Sequence, residues 1–198
     1  MGKEAILSVK GICKNFGTVK ALKSVSASFY PGEIHGLIGE NGSGKSTLSS
    51  VISGIYPPDG GTMSLNGKEY KPSSIIDGER HGICMIVQEM GTINGITVAA
   101  NIFAGQEEQF SRFGIVNRKN MTEAARKALE DIGAPDINAA GNIDEESFEN
   151  RKIVEIARAM CHKIQVLIVD ETTTALSQKG RKLIYALKSR LRKDGKAV

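Results

Sequence analysis

The hydrophobic and polar positions along this chain follow two different periods, which predict a mixture of strands and helices. Alternating positions and short apolar runs predict strands at residues 4–10, 25–30, 34–38, 83–87 and 166–170. Asn66-Gly67, between residues 61–65 and 68–70, is the strongest short signal for a β-hairpin. The first third of the chain therefore combines antiparallel hairpins with one strand–loop–helix unit.

Helical periodicity dominates from about residue 91 to residue 160. One predicted helix, MTEAARKALEDIG, ends at Gly133 and has a shared apolar face of Ala124, Ala128, Leu129 and Ile132. A second, RKIVEIARAM, has an apolar stripe of Ile153, Ile156, Ala157 and Met160. Further helices are predicted at residues 46–54 and 177–193. We predict a single α/β domain, residues 1–198, whose core (1–90 and 161–198) is interrupted by a helical subdomain at about 91–160.

Composition and charge exclude several classes of protein. The 198 residues are 40% hydrophobic and 24% charged, which is typical of a globular domain. The net charge of +4 comes from interleaved signs and is too weak to indicate a nucleic-acid partner. We expect no membrane-spanning segment, because no run of 18 apolar residues occurs, and no secretory signal. The three scattered cysteines indicate buried thiols in a reducing compartment.

Residues 39–47, GENGSGKST, fit the phosphate-loop pattern G-x-x-x-x-G-K-[ST] between a predicted strand and a predicted helix. Its glycines allow successive N–H groups to surround phosphate oxygens, and the helix N-terminus adds a positive dipole end. Lys45 would reach the β and γ phosphates, and Ser46 would offer its hydroxyl to Mg²⁺. The competing interpretation is a glycine-rich turn without a ligand. The predicted nucleotide-binding residues of the loop are Gly39, Glu40, Asn41, Gly42, Ser43, Gly44, Lys45, Ser46 and Thr47.

Residues 166–171, VLIVDE, are an apolar run that ends in two carboxylates. Such a strand would deliver Asp170 to Mg²⁺ and place Glu171 one step nearer the γ-phosphate, where it orients or deprotonates the attacking water. A solvated acidic turn after a core strand is the alternative. Alone, this pattern is moderate evidence. Because the same chain also carries the phosphate loop with Lys45, a nucleotide site is the stronger interpretation.

Four segments together resemble an ATP-binding-cassette (ABC) ATPase of the kind found in bacterial sugar importers for ribose, galactose or xylose. They are GENGSGKST, GITVAANIFAG at 95–105, VEIARAM at 154–160 and VLIVDETTTAL at 166–176. The resemblance covers about residues 6–198. It implies a P-loop NTPase core with an antiparallel β subdomain and an inserted helical subdomain, with ATP and Mg²⁺ as ligands.

The resemblance also implies roles for residues outside the two motifs. Phe16 occupies the position of the aromatic residue that stacks on adenine, and Val19 would contact the sugar of the nucleotide. Gln88 matches the glutamine that completes the Mg²⁺ shell and senses the γ-phosphate. A core position for Phe16 and a surface position without a role for Gln88 are the alternatives.

The segment EESFENR, residues 145–151, departs from the family. In ABC ATPases two cassettes pair head to tail, and a signature segment of one contacts the γ-phosphate bound by the other. Aligned through VEIARAM, this segment is Glu146-Ser147-Phe148-Glu149-Asn150, in which only Ser147 is retained and Glu149 replaces a glycine. At 4 Å and an effective dielectric of ~20, a carboxylate repels a phosphate charge by roughly 4 kcal/mol. We predict an impaired signature; the alternative is that the glutamates turn away as a helix cap.

Two further departures concern the end of the chain. Thr172 stands where the family has proline. The family also has a switch histidine after the next strand, and none of His35, His81 and His162 lies at that position. We interpret these three histidines as structural. We therefore expect a fragment, the first of two cassettes, bound peripherally at the cytoplasmic face of the membrane. The implied partners are a second cassette in the same polypeptide or a dimer mate, transmembrane permease subunits and, indirectly, a sugar-binding protein.

Three functions remain open from sequence. The first is an ATPase that drives sugar import. The second is a nucleotide-binding module with negligible hydrolysis. A DNA- or ribosome-acting ABC protein is less favoured, because residues 91–160 hold neither a coiled coil nor a basic insertion.

Overall fold

The computed structural model describes residues 4–86, 91–170 and 177–198. Two compact units are present. The first unit contains Met1–Met85, Lys163–Asp170 and Lys188–Val198, and the second contains Ile86–His162 and Glu171–Leu187. Each unit has its own hydrophobic core.

The first unit contains a four-stranded antiparallel sheet in the order β2-β1-β3-β4. Its strands are β1 (Leu7–Phe16), β2 (Val19–Phe29), β3 (Gly60–Leu65) and β4 (Lys68–Glu69). The predicted hairpin is confirmed, with Asn66 and Gly67 at φ of 49° and 74° as a type I′ turn requires. Strand β1 begins three residues later than the predicted start and continues to Phe16, and β2 begins six residues earlier than predicted.

Two helices and two further strands complete the elements that lie wholly or largely in the first unit. They are α1 (Lys45–Ile52), α2 (Ile75–Arg80), β5 (Ile83–Ile86) and β8 (Val166–Val169), and β5 and β8 are neighbours in one sheet. The core of the unit joins apolar side chains of the antiparallel sheet to Val51 and Ile52 of α1, Ile83 of β5 and Val166 of β8. The core therefore holds helix α1 through side chains of its C-terminal half.

The strand predicted at residues 34–38 is wrong. Within the described residues, backbone hydrogen bonds pair this stretch only at its start, where the His35 amide donates to the Val198 carbonyl and the Val198 amide donates to the Glu33 carbonyl. Ile34 and Leu37 are about half exposed and Ile38 is 98% exposed. An apolar run becomes a strand only where neighbouring backbone completes a hydrogen-bonded ladder, and here the ladder stops at residue 35.

The second unit is mainly helical. It contains α3 (Val98–Ile102), a two-stranded hairpin of β6 (Ser111–Arg112) and β7 (Ile115–Val116), α4 (Arg118–Asp131) and α5 (Phe148–Met160). Single 3₁₀ turns occur at Glu107–Phe110 and Ile143–Glu145. Helix α6 (Gln178–Lys193) is divided between the two units.

The predicted faces of α4 and α5 need correction. Helix α4 buries Met121, Ala125 and Leu129, so its buried stripe includes Leu129 but not Ala124 or Ala128. Helix α5 is buried almost all round, and its buried residues are Lys152, Ile153, Val154, Glu155, Ile156, Ala157 and Ala159. Met160 is only half-buried. A helix enclosed by its neighbours loses the one-sided pattern that was used to predict its face.

No helix in the described ranges 4–86, 91–170 and 177–198 is both long and apolar enough to cross a bilayer.

Candidate functional site

The predicted phosphate loop forms an exposed turn that leads directly into helix α1. Gly42 and Gly44 have φ of 81° and 92°, so both adopt the left-handed conformation that glycine allows without a Cβ penalty. The amide of Ser43 donates to the Glu40 carbonyl at 3.1 Å, which closes the turn. Helix α1 begins at Lys45 without a side-chain cap, so the first backbone amides of α1 remain available to an anion.

The side chain of Lys45 folds back over the loop. Its Nζ donates to the carbonyls of Gly39 and Glu40 at 2.9 and 3.0 Å. The ammonium group is therefore held directly above the turn by two neutral oxygens. A phosphate group is a stronger acceptor because it is ionised, so it can compete for the ammonium without moving the backbone of the helix.

Gly44 packs tightly against strand β2. A Cβ atom at this position would lie 2.8 Å from the Ala21 carbonyl oxygen and 2.9 Å from Leu22 Cδ2. The space is fixed by strand β2, because Leu22 is paired with Lys14 of β1 and Ala21 is its neighbour in β2. The end of the loop is thus positioned by contact with the antiparallel sheet.

Replacing Gly44 with alanine should therefore destabilise the first unit by about 2 kcal/mol, since the new methyl group meets backbone and the residue is strained at positive φ. Gly42→Ala is the matched control, because its φ is also positive but its Cβ would meet nothing within 4 Å. Urea unfolding of both variants measures the difference. Equal losses would contradict the contact with β2 as the cause.

Asp170 follows strand β8 and is half-buried. Leu167 N–H donates to the Ala197 carbonyl and Ala197 N–H to the Gln165 carbonyl, which makes residues 165–167 parallel to the segment at 197. The Val198 amide donates to the Glu33 carbonyl, and the Val198 carbonyl accepts from the His35 amide. One residue bonded to both neighbours of Ile34 is again the pattern of parallel strands. Strand β8 and the segment at residues 33–35 therefore run in the same direction. Asp170 follows the first and the phosphate loop follows the second, so both come after the carboxyl end of their segment, at the same edge.

Phe16 and Val19 close the β1–β2 hairpin as a cross-strand pair. The Phe16 ring is 43% exposed, which contradicts a core position, and Val19 is 63% exposed. The ring of Tyr56 packs edge-on against Phe16 with centroids 5.1 Å apart and an interplanar angle of 77°. Since Val19 precedes Ala21 by two residues, this exposed apolar corner lies on the hairpin that also contacts Gly44.

Sequence reasoning missed four residues that hold this corner, Lys14, Asn15, Tyr56 and Asp59. Asp59 accepts hydrogen bonds from the Lys14 ammonium at 3.0 Å and from the Asn15 amide at 2.6 Å. Hydrogen bonding from Lys14, then from the Asn15 backbone, lowers the pKa of the Asp59 carboxyl. Tyr56 supplies the edge contact described above. Only the Pro57-Pro58-Asp59-Gly60 turn marks this region in the sequence, and it does not identify Asp59 as a partner of β1.

The predicted signature segment lies at the start of α5, in the second unit. Ser147 caps the helix, because its hydroxyl accepts from the Asn150 amide at 3.1 Å. Asn150 in turn donates from its side chain to Glu146 at 2.6 Å. The Glu149 carboxylate accepts a hydrogen bond from the Ser177 hydroxyl. Both glutamates of the segment are thus bound within their own unit.

Gln88, Glu171 and Thr172 lie outside the described residues, so their predicted roles stay predictions. Of the predicted Mg²⁺ ligands, Ser46 and Asp170 are described. They offer hydroxyl and carboxylate oxygens, the donor types that Mg²⁺ prefers. Ser46 is exposed in the first turn of α1, and Asp170 follows β8 toward the same edge. The donor set and its placement fit this metal.

Among solved structures, a nucleotide-free ATP-binding cassette from an ABC transporter superposes with a TM-score of 0.81 and 26% identity, over 98% of this chain and 79% of that one. A dimeric, post-hydrolysis ATP-binding cassette bound to ADP and Pi superposes with a TM-score of 0.80, over 97% and 85% of the two chains. At 24% identity it shows the fold alone.

Relatives in sequence are ribose import ATP-binding proteins. The one from Caldanaerobacter subterraneus subsp. tengcongensis is 37% identical, over 98% of this chain and 39% of that protein. The one from Jannaschia sp. is 40% identical, over 98% and 37%. This chain thus spans less than two-fifths of the length of these relatives. The family model described as ABC transporter matches residues 22–174. Taken with the phosphate loop, these findings show that the chain belongs to the ABC transporter family of ATP-binding domains.

Proposed function

We propose that this chain binds and hydrolyses ATP and thereby powers import of a sugar through a membrane transporter. The observation that carries the proposal is the phosphate loop, with two left-handed glycines, the overlying Lys45 ammonium and Asp170 following toward the same edge. Relatives named for ribose import support a sugar as the cargo.

The residues divide the chemistry among them. The loop amides and Lys45 bind the β and γ phosphates and stabilise the charge that develops there as water attacks the γ-phosphate. Ser46 and Asp170, with Gln88, hold Mg²⁺, which neutralises phosphate charge when it is bound. Glu171 orients the attacking water and accepts its proton. Phe16 stacks on adenine through its exposed ring, with Val19 beside the ribose.

The partners follow from the proposed task. A cassette of this kind works with a second cassette, either in the same polypeptide or as a dimer mate, and docks on transmembrane permease subunits at the cytoplasmic face of the membrane. A sugar-binding protein delivers the cargo from outside. We propose no nucleic-acid partner, since the net charge is only +4 with interleaved signs.

A second candidate, a nucleotide-binding module with negligible hydrolysis, is favoured by the signature segment. The Ser177 hydroxyl fixes the Glu149 carboxylate in the first turn of α5, two residues from Ser147. The Glu149 carboxylate then partly neutralises the positive end of the helix dipole. A γ-phosphate held by a partner cassette would meet negative charge there, which weakens the closed pair.

Phosphate release separates the two candidates. We expect this chain, mixed with a cassette that carries an intact signature, to bind Mg-ATP and release phosphate above background. Binding without release in this mixture would favour the binding module. Failure of the chain to bind ATP at all would overturn both. Glu149→Gly should raise release if the carboxylate is the obstacle.

A further inference from the structure

The β6–β7 hairpin of the second unit carries an aromatic residue where its turn favours a small one. Phe113-Gly114 forms the turn, and the two residues have positive φ of 53° and 79°, as a type I′ turn requires. The first position of such a turn is usually asparagine, aspartate or glycine, and the β3–β4 hairpin of this chain has Asn66-Gly67 there. A bulky side chain at positive φ is strained. Formation of the turn therefore does not explain Phe113.

The Phe113 side chain does not contribute to the core of its unit either. Its ring is 92% exposed, and Ile115 is 74% exposed. A Cβ atom at Gly114 would meet nothing within 4 Å, so the turn projects into open space. Arg112 is the cross-strand partner of Ile115, and its guanidinium carbon lies 5.5 Å from the centroid of the Phe113 ring. Arg112, Phe113 and Ile115 therefore form one exposed patch, the hairpin tip, with two apolar side chains and one cation.

The base of the hairpin, in contrast, is held by the core of the second unit. Phe110 and Val116, just before and just after the tip in sequence, pack against this core. The Asn117 amide donates to the Phe110 carbonyl at 2.9 Å, and the Phe110 ring packs on Phe103 with centroids 4.7 Å apart. The hairpin tip is therefore presented on a fixed support, so a partner that binds it has few groups to order.

The basic residues beside the hairpin are also placed against a local preference. Helix α4 begins at Arg118, followed by Lys119, and its first turn contains no acidic residue, although a helix N-terminus favours negative charge. Among the described residues, neither these two nor Arg112 takes part in an ion pair. Residues 109–122 contain these three basic residues and no acidic one. The tip and the first turn of α4 thus carry positive charge that the fold does not use.

Acidic residues border this basic stretch on both sides. Glu123 is paired with Arg126 in an exposed ion pair on α4. Glu107 accepts a hydrogen bond from the Gly105 amide at 3.1 Å, and Glu108 lies with it in the 3₁₀ turn before the hairpin. An anionic partner is therefore attracted only where it contacts the hairpin tip and the first turn of α4.

A lipid surface fits these features better than a protein groove does. A stable protein interface buries about 800 Å² on each partner, far more than two apolar side chains offer. Lysine is also depleted from protein interfaces. An anionic membrane needs only a short apolar segment with cations beside it, because the acyl boundary takes the apolar part and the headgroups take the charge.

We propose that the hairpin tip and the first turn of α4 bind the surface of an anionic lipid membrane. Phe113 and Ile115 enter the boundary between headgroups and acyl chains, while Arg112, Arg118 and Lys119 contact the charged groups of the lipids. The contact goes beyond the proposed function and involves no nucleotide, so its failure would leave ATP binding untouched.

Flotation of this chain with lipid vesicles tests the contact. The vesicles contain equal parts of phosphatidylserine and phosphatidylcholine, or phosphatidylcholine alone, at low ionic strength. Phe113→Asn removes the ring and installs a residue that the turn prefers, so this variant should be at least as stable to urea as the parent. Arg118→Gln combined with Lys119→Gln removes two charges. Lys68→Gln is the matched control, because Lys68 is also exposed beside a type I′ turn.

We expect the parent to partition onto the anionic vesicles about a hundredfold more strongly than onto the neutral ones, since each of the three basic residues contributes about fivefold. Phe113→Asn should weaken partitioning onto the anionic vesicles about tenfold. The double glutamine variant should weaken it about twenty-fivefold, and Lys68→Gln should stay within about twofold of the parent.

The depth of the hairpin tip is measured with Phe113→Trp. The chain has no tryptophan, so emission from this variant reports the tip alone. On anionic vesicles the emission should shift to the blue and be quenched by lipids brominated on their acyl chains. No partitioning of the parent, equal partitioning onto both kinds of vesicle, or an unshifted emission would each overturn the inference. The last is the result expected if the tip docks on a protein instead.

Discussion

Replacing Lys45 with alanine is expected to weaken ATP binding about a hundredfold, or about 3 kcal/mol. The Lys45 ammonium lies over the turn, and its hydrogen-bond acceptors in the described part of the chain are two neutral carbonyls, those of Gly39 and Glu40. A triphosphate offers ionised oxygens in the same place, and a charge-assisted hydrogen bond is roughly twice as strong as a neutral one. The side chain thus exchanges weaker partners for stronger ones, and its loss removes that gain. Calorimetric titration with Mg-ATP measures the effect.

The control for Lys45→Ala is a lysine of the same unit outside the loop. Lys68 in the hairpin strand β4 is exposed, so Lys68→Ala should leave ATP affinity within about twofold. Thermal unfolding of Lys45→Ala in the absence of nucleotide should change little, because the two hydrogen bonds that are lost lie in an exposed loop. Asp170→Asn should in addition reduce the dependence of binding on Mg²⁺. Unchanged affinity and unchanged Mg²⁺ dependence in both site variants would remove the basis of the proposed function.

Local signals in the sequence predicted the parts of the fold that depend on local chemistry. The type I′ turn at Asn66-Gly67 forms because both residues tolerate positive φ, whatever packs around them. The phosphate loop is similar, since Gly42 and Gly44 supply the left-handed conformations that the turn needs. The strand predicted at residues 34–38 failed for the opposite reason. A strand exists only with a neighbour, and the sequence of one segment does not contain its neighbour.

The polar network around α5 was beyond sequence reasoning for a different reason. A helical pattern assigns Lys152 and Glu155 to a solvated face, because charged residues are rarely buried. They are buried here because they pair with each other and with the backbone of a distant segment, at Gly91. Nothing local marks that pairing.

The buried ion pair of Lys152 and Glu155 leads to the second large effect. Burial raises the pKa of the Glu155 carboxyl above its ordinary value of 4.5, while hydrogen bonding from Gly91 and the charge of Lys152 oppose the rise. Removing the lysine deletes both its charge and its hydrogen bond, two of the influences that oppose the rise. Breaking a buried pair on one side typically costs about 3 kcal/mol, because the remaining charge is left in a poorly solvating environment. Lys152→Met keeps the length of the apolar stem and so isolates the charge.

The loss in Lys152→Met should depend on pH with a defined sign. With a still higher pKa in the folded state, Glu155 binds its proton more tightly when folded than when unfolded. The variant is therefore closest to the parent below pH 4.5, where Glu155 is protonated in both states, and loses stability as the pH rises through the folded pKa. Urea unfolding of parent and variant between pH 4 and 8 should show a difference that grows to about 3 kcal/mol. Arg126→Met, the same kind of change at an exposed pair, should cost under about 0.5 kcal/mol at every pH. A loss that is equal at all pH values would assign the effect to the contact of Lys152 with the Phe148 ring, 5.7 Å from its Nζ, and not to the stranded carboxylate.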